Sequence, residues 1–373
     1  MYDSVPRFLM AFLLRTGYKG KYATRIEQML DKTADLTLQM QSVTGELAFG
    51  GRSNQFLNNE PMLSSYFEME AARFAEKGDP VKAGQFKAAA LLAAEATLRY
   101  LNLDPISHIK NRYDVSTKIG CEGYGYFNKY MITVASNIYI CVLFGNDRIA
   151  PTVAPAETGG YIISTSEHFH RTFLNCGGYS LEWDTNADPH YDANGLGRVH
   201  KKGCPTPLCL SVPFPHEPQY TLEDENPSQM SLCCYAKDNG KKLLGAERYA
   251  EYFLVGGQSL ENKVEMTFDV KLSNDINVTQ KYAVSQYGVD IHLSGAENLG
   301  FMVPVFDFDG SNHTMITITE NEITITYQGA VCRYQFNGTI NPAFQYFYNR
   351  NGKYRVYEIA TKELHIEMEC ANI

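Results

Sequence analysis

Two textures divide the chain. Up to about residue 148, apolar residues recur at helical spacing. Ile26, Met29, Leu30, Leu36, Met40 and Val43 lie on one helical face, and Gly45 follows as a stop signal. Leu63, Tyr66, Phe67 and Phe74 repeat the pattern over residues 61–77, ending at Gly78. Asp79 and Pro80 then open an Ala-rich helix around Lys87 to Ala96, and a further apolar helix runs from about Tyr126 to Phe144 before Gly145. The stretch Phe8–Leu14 reads as a core helix. Helices joined by short polar loops predict antiparallel hairpins, stacked like the walls of a barrel. Past Pro151 the period changes. Short segments such as 160–164, 316–319, 323–327 and 354–357 alternate or are β-branched, and Gly, Asn and Asp turns separate them. Lys281–His292 reads as a hairpin turning near Gly288, and Thr152–Thr158, with two prolines, as a linker. The predicted fold class is α+β: a helical-hairpin domain over residues 1–150, then a large antiparallel β-sandwich over 159–373.

Composition narrows the function. At 373 residues the chain can build two cores. A net charge of −9, with no Lys/Arg cluster to reverse it locally, argues against a nucleic-acid partner. Phe8–Leu14 is too short to span a bilayer, and the N-terminal stretch to Arg7 lacks the basic start of a signal peptide. No membrane association and a cytoplasmic location are therefore expected. Nine cysteines, two of them adjacent at 233 and 234, match neither a secreted disulfide framework nor a paired zinc motif, so free thiols in a reduced compartment are expected. Against one Trp stand 25 Tyr and 20 Phe, rings that stack on sugars as readily as they fill a sheet core.

Four segments concentrate polar chemistry. Gly50 to Glu60 sets Arg52, Asn54, Gln55, Asn58, Asn59 and Glu60 beside two glycines at the mouth of a helix, where the backbone can approach a ligand and the side chains can fix a carboxylate or a hydroxyl. Helix capping accounts for part of it, with Asn58 or Asn59 as N-cap and Pro61 at the first helical position, but not for 50–55. Cys121–Tyr130 is a second glycine-relaxed loop; it carries Tyr124 and puts Tyr126 and Tyr130 one turn apart, where core packing competes with a functional phenol. Glu182–His200 holds Trp183, Asp188, His190, Asp192, Arg198 and His200 in a predicted strand–loop–strand. Ser166–Arg171 places His168 and His170 on one face of a predicted strand. With Asp192 these two histidines are the candidate ligands of a structural divalent metal; no other cofactor is expected. A nucleophile elbow, a phosphate loop and a dinucleotide fingerprint are all lacking.

These motifs, in this order, resemble the heparinase II/III-like polysaccharide lyases, over roughly residues 45–200. The resemblance implies an incomplete α/α toroid packed on an antiparallel β-sandwich, with the substrate cleft between them. Asn58-Asn59-Glu60 resembles the family's toroid Asn, Gly123-Tyr124-Gly125-Tyr126 its tyrosine loop, and His190-Tyr191-Asp192 its histidine segment; Glu60 stands where many of these lyases have His. The helices before Pro151 make about half of such a toroid, which implies further helices N-terminal to this chain.

The implied reaction is β-elimination at a uronic acid. Asn58 or Asn59, Arg52 and Gln55 would neutralise the carboxylate beside C5. Tyr126 or Tyr124 and His190 would serve as base and acid. Asn54, Glu60, Trp183, Arg198 and His200 would line the substrate, expected to be a lightly charged uronide-containing carbohydrate; oligomeric state is open. Two rivals stay open: a glycoside hydrolase drawing a carboxylate pair from Glu60, Glu122, Asp188 and Asp192, and a carbohydrate-binding protein without turnover.

Overall fold

The structure, a computed structural model, describes residues 4–224, 229–273, 275–342 and 345–370; the first three residues of the N-terminal stretch considered above lie outside it. Among the described residues six α-helices come first: α1 (Ser4–Arg15), α2 (Ala23–Gln39), α3 (Asn59–Glu76), α4 (Pro80–Leu101), α5 (Phe127–Phe144) and the short α6 (Pro155–Thr158). Helix α3 is the axis of this half. It is buried from Asn59 to Arg73 and packs against α1, α4 and α5. Ala83, Gly84, Ala88, Ala89, Ala90 and Ala93 are small buried residues distributed around α4, Gly84 lying against Thr152, and the Asp79 carboxylate caps α4 by accepting from the Lys82 N–H at 2.9 Å. Helix α2 stops at Gln39, short of Val43, because residues 40–49 leave the helical half to lie on a sheet.

Eighteen strands follow: β1 (Tyr161–Ser164), β2 (Arg171–Cys176), β3 (Tyr179–Asp184), β4 (Gly195–Lys201), β5 (Cys233–Asp238), β6 (Lys241–Leu244), β7 (Glu251–Leu260), β8 (Lys263–Lys271), β9 (Asn277–Ser285), β10 (Gly288–Ser294), β11 (Leu299–Phe308), β12 (Met315–Ile318), β13 (Glu322–Tyr327), β14 (Ala330–Phe336), β15 (Thr339–Asn341), β16 (Tyr346–Asn349), β17 (Gly352–Ala360) and β18 (Glu363–Glu369). Among the described residues these eighteen strands form three antiparallel sheets: β1-β2-β3-β4; β12-β13-β14-β18-β10-β9-β8-β7; and β15-β17-β11-β5-β6, with β16 on β17. One hydrophobic core draws side chains from all three. The predicted hairpin is β9–β10, turning at Gln286-Tyr287.

The four-stranded sheet decides the site. Strands β2, β3 and β4 are buried on both faces. Leu174, Tyr179, Leu181, Trp183 and Val199 face the common core. The alternate positions Arg171, Phe173, Ser180, Glu182, Arg198 and His200 face the segment 41–51 of the helical half.

Three expectations need correcting. Residues 166–169 form turns rather than a strand, with His170 at φ +46°, so His168 and His170 share no strand face. The linker contains helix α6, started by Pro155. Cys204 and Cys370 are joined in a disulfide, while the seven other cysteines are free.

Candidate functional site

The loop Phe49–Gln55 is wedged between the four-stranded sheet and residues 120–124, and its conformation is demanding. Gly50, Gly51, Ser53 and Gln55 all have positive φ. A Cβ on Gly50 would fall 2.0 Å from Arg171 Nη2, so only glycine lets the backbone pass the guanidinium. Buried acids pin the loop by its N–H groups: Phe49 to Glu182 Oε2 at 3.1 Å, Gly51 to Asp192 Oδ2 at 3.0 Å and Ser53 to Glu122 Oε1 at 2.7 Å. Each acid faces a buried arginine, Arg171 being shared with Asp184 at 2.9 Å. Arg198 Nη1 lies 3.1 Å from Glu182, Arg171 Nη2 donates to Asp192 at 3.1 Å, and Arg350 grips both oxygens of Glu122 at 2.8 and 3.0 Å. Arg350 comes from the turn between β16 and β17 and stacks 3.8 Å over the Tyr220 ring.

This anchoring presents a ledge of accessible groups. Arg52 points outward, and its Nε donates to the Tyr124 hydroxyl at 3.1 Å. The Ser53 hydroxyl lies 2.8 Å from the same phenol oxygen. Two cations sit over the Tyr124 ring, Arg52 at 4.7 Å and Lys129 at 5.7 Å from its centroid. Tyr191 joins from the sheet side, within electrostatic reach of Glu122, Arg52 and Tyr124; burial, and after it Glu122, raises its pKa despite Arg52. His190 stands beside Tyr191, half-exposed, with Nδ1 2.8 Å from Asp188 and Nε2 3.5 Å from Glu217. Tyr126, at the N-cap of α5, is 60% exposed.

Many of the residues singled out in the sequence lie behind the ledge instead. Trp183 is wholly buried, edge-on to Tyr282, and offers no face to a sugar. His200 is sealed among the Ser42, Thr44 and Ser211 hydroxyls, and burial holds its pKa well below the usual histidine range. Arg198 is consumed by Glu182 and the Leu47 carbonyl. Glu60 is buried with Glu46 against Lys110, at 2.8 and 3.0 Å from its Nζ; burial raises the Glu60 pKa, whereas the cations around Glu46 overcome burial and lower its own. Gln55 accepts from Asn351, Asn54 donates to the Gly51 carbonyl and Asn59 to the Ser53 carbonyl, so all three shape the loop from inside. Asn58 is the N-cap residue of α3 but makes no capping bond, and the helix starts two residues before Pro61.

The metal candidates diverge. His168 is exposed, His170 Nδ1 lies 2.5 Å from Asp184, and Asp192 is held by Arg171; among the described residues no three His, Cys, Asp or Glu side chains are grouped to hold an ion. Among the described residues the larger depressions also lie away from the ledge. One of about 770 Å³ is on the eight-stranded sheet near Asp290 and His365. Another of about 500 Å³ lies between the two halves beside Arg99, Lys110 and Arg112. Arg112 and Tyr327 converge there on Asp309, and Tyr100 on Thr206. The chemistry of accessible phenols and cations is on the shallow ledge, and we place the candidate site there. Tyr191 and Ser53 were unremarkable in sequence, and Arg350, 228 residues from Glu122, gave no signal at all.

No protein-family model and no curated protein matches the chain. Among solved structures it is similar to heparinase III at 10% identity and a TM-score of 0.42, over 98% of this chain and 61% of that one. The heparan sulfate lyase HepC from Pedobacter heparinus gives 10% and 0.40, over 98% and 59%. The chondroitin lyase ODV-E66, a baculovirus envelope protein, gives 8% and 0.29, over 95% and 64%. The chain spans about three fifths of the length of the heparinase III structure.

Proposed function

We propose that the protein is a carbohydrate-active enzyme that cleaves a uronic-acid-containing glycan by β-elimination at the Arg52–Tyr124–Tyr191 ledge, the helical half being an incomplete toroid set on a β-sandwich. The observation that carries this reading is the Tyr124 phenol, which accepts from Arg52 while two cations lie over its ring. Nearby positive charge favours phenolate, which an elimination base requires. Arg52 is the exposed group that would meet the substrate carboxylate and the enolate-like charge that builds on it. Tyr191, whose pKa is shifted upward, keeps its proton and in this reading would, with His190, protonate the departing O4 oxygen. An open ledge suits a polymer passing through, and two cations match one carboxylate better than a densely sulfated chain. The hydrolase alternative is disfavoured because Glu60, Glu122 and Asp192 are buried in ion pairs, leaving Asp188 the accessible carboxylate of the four.

The test is digestion of unsulfated and sulfated uronide polymers, reading the ultraviolet absorbance of a 4,5-unsaturated uronide together with new reducing ends. Both signals together, strongest on unsulfated polymer, are expected. Reducing ends without absorbance would establish hydrolysis, and binding without either signal would leave a lectin-like protein.

A further inference from the structure

The depression of about 500 Å³ between the two halves shares no residue with the ledge. Its volume falls within the roughly 300–1,000 Å³ of small-molecule sites. Four cations line it, and two of them are already neutralised: Lys110 by Glu46 and Glu60, and Lys202 by Glu157. The two arginines are not. Arg99, on α4, donates to the Thr44 carbonyl and forms an ion pair with no carboxylate among the described residues. Arg112 is anchored at its near end, its backbone N–H donating to the Asp309 carbonyl at 2.7 Å and its Nε lying 3.4 Å from Asp309 Oδ2. That carboxylate also accepts from Tyr327 and Asn312, and the Arg112 side chain remains 32% exposed, its terminal nitrogens left for a ligand. Glu95, the other acid of the lining, is exposed to solvent.

We propose that this pocket is a second binding site, for a small sugar acid whose carboxylate is held by Arg99 and Arg112. A guanidinium presents a planar fork of donors that matches a carboxylate. The rest of the lining selects more than charge. Leu92, Leu103, Pro205 and Pro207 suit the C–H faces of a sugar ring, and the Tyr100–Thr206 hydroxyl pair and the Gln328 amide suit its hydroxyl groups. A bare oxyanion would leave those apolar walls uncovered. The pocket also reaches the loop that carries Arg52. Lys110 donates its N–H to the Gln55 carbonyl at 3.0 Å, and Asn351 Nδ2 donates to Gln55 Oε1 at 3.2 Å. Both residues line the pocket, so an occupant touches groups that hold the loop Phe49–Gln55 in place. That the sugar acid is a uronide rests on the β-elimination reading of the ledge; that the pocket takes a carboxylate does not.

Titration calorimetry of the full chain with glucuronic acid tests the site without turnover. Arg99→Met and Arg112→Met should each weaken binding at least roughly tenfold, the worth of a lost charge-assisted hydrogen bond, with unchanged circular dichroism. Arg99 is exposed, so its variant carries the test should loss of Arg112 disturb Asp309. Arg52→Met should leave this binding in place. Glucose should bind far more weakly than glucuronic acid, and acetate or inorganic phosphate should fail to displace the sugar acid at equal concentration. No binding of glucuronic acid, equal affinity for glucose, displacement by acetate or phosphate, or binding lost in Arg52→Met but kept in Arg99→Met would each overturn the proposal. Absence of an unsaturated product from uronide polymers would sink the reading of the ledge and leave this result standing.

Discussion

At the scale of single residues, the site turns on which of two neighbouring phenols does the chemistry. Tyr124 has Arg52 and Ser53 at its oxygen, while Tyr126 is largely in solvent. Tyr124→Phe should lower turnover by about 10²- to 10⁴-fold, the usual worth of a positioned proton-transfer group. It should cost only about 1 kcal/mol of stability, one hydrogen-bonded hydroxyl. Tyr126→Phe should leave both nearly unchanged. Initial rates and thermal melts of the two variants decide it, and the opposite pattern would move the base to Tyr126. The glycine-flanked tyrosine pair was legible in sequence as a candidate loop. The choice between its members was not, because the deciding partner is 72 residues away.

At the scale of elements, the loop Phe49–Gln55 keeps its shape through acids that other segments supply. Arg350, wholly buried, neutralises Glu122, which in turn holds the Ser53 N–H. Burial works against the Glu122 carboxylate, but Arg350 holds its pKa below the usual range. Arg350→Met should therefore leave an uncompensated buried charge and destabilise the protein by about 3–5 kcal/mol. Adding Glu122→Gln should recover much of that loss, since the stranded charge is then gone. Denaturant titrations of the two variants measure the difference, and equal losses would show that Arg350 acts by packing on Tyr220 alone. Periodicity located the helices and many of the strands, because amphipathic spacing is a local property. At 50–60 and 182–200 it could not sort a dense run of polar residues into those that meet solvent, such as Arg52 and His190, and those that are buried. Whether Gln55, Glu60, Arg198 and His200 meet solvent or one another depends on contacts across the fold that spacing does not encode.

At the scale of the whole molecule, the two halves meet through that charged layer, and the layer should make global stability depend on pH. Glu182 is its clearest reporter. It lies on β3, accepts from the Phe49 N–H across the junction, and is 2% exposed. Burial pushes its pKa from 4.5 up to about 7, against the pull of Arg198 and Arg171. The folded protein thus binds this proton more tightly than the unfolded chain does. The associated stability is fully present below about pH 4.5 and is lost as pH rises through about 7, a swing of about 3 kcal/mol. Glutamine at this position keeps an acceptor for Phe49 but does not titrate. The unfolding free energy of the wild type relative to Glu182→Gln should then fall by about 3 kcal/mol between pH 4.5 and 7.5. Taking the difference between the two proteins cancels the other carboxylates common to both. Parallel pH profiles would mean that Glu182 stays ionised throughout. Arg198 and Arg171 would then outweigh burial, and the two halves would be clamped by charge at every pH.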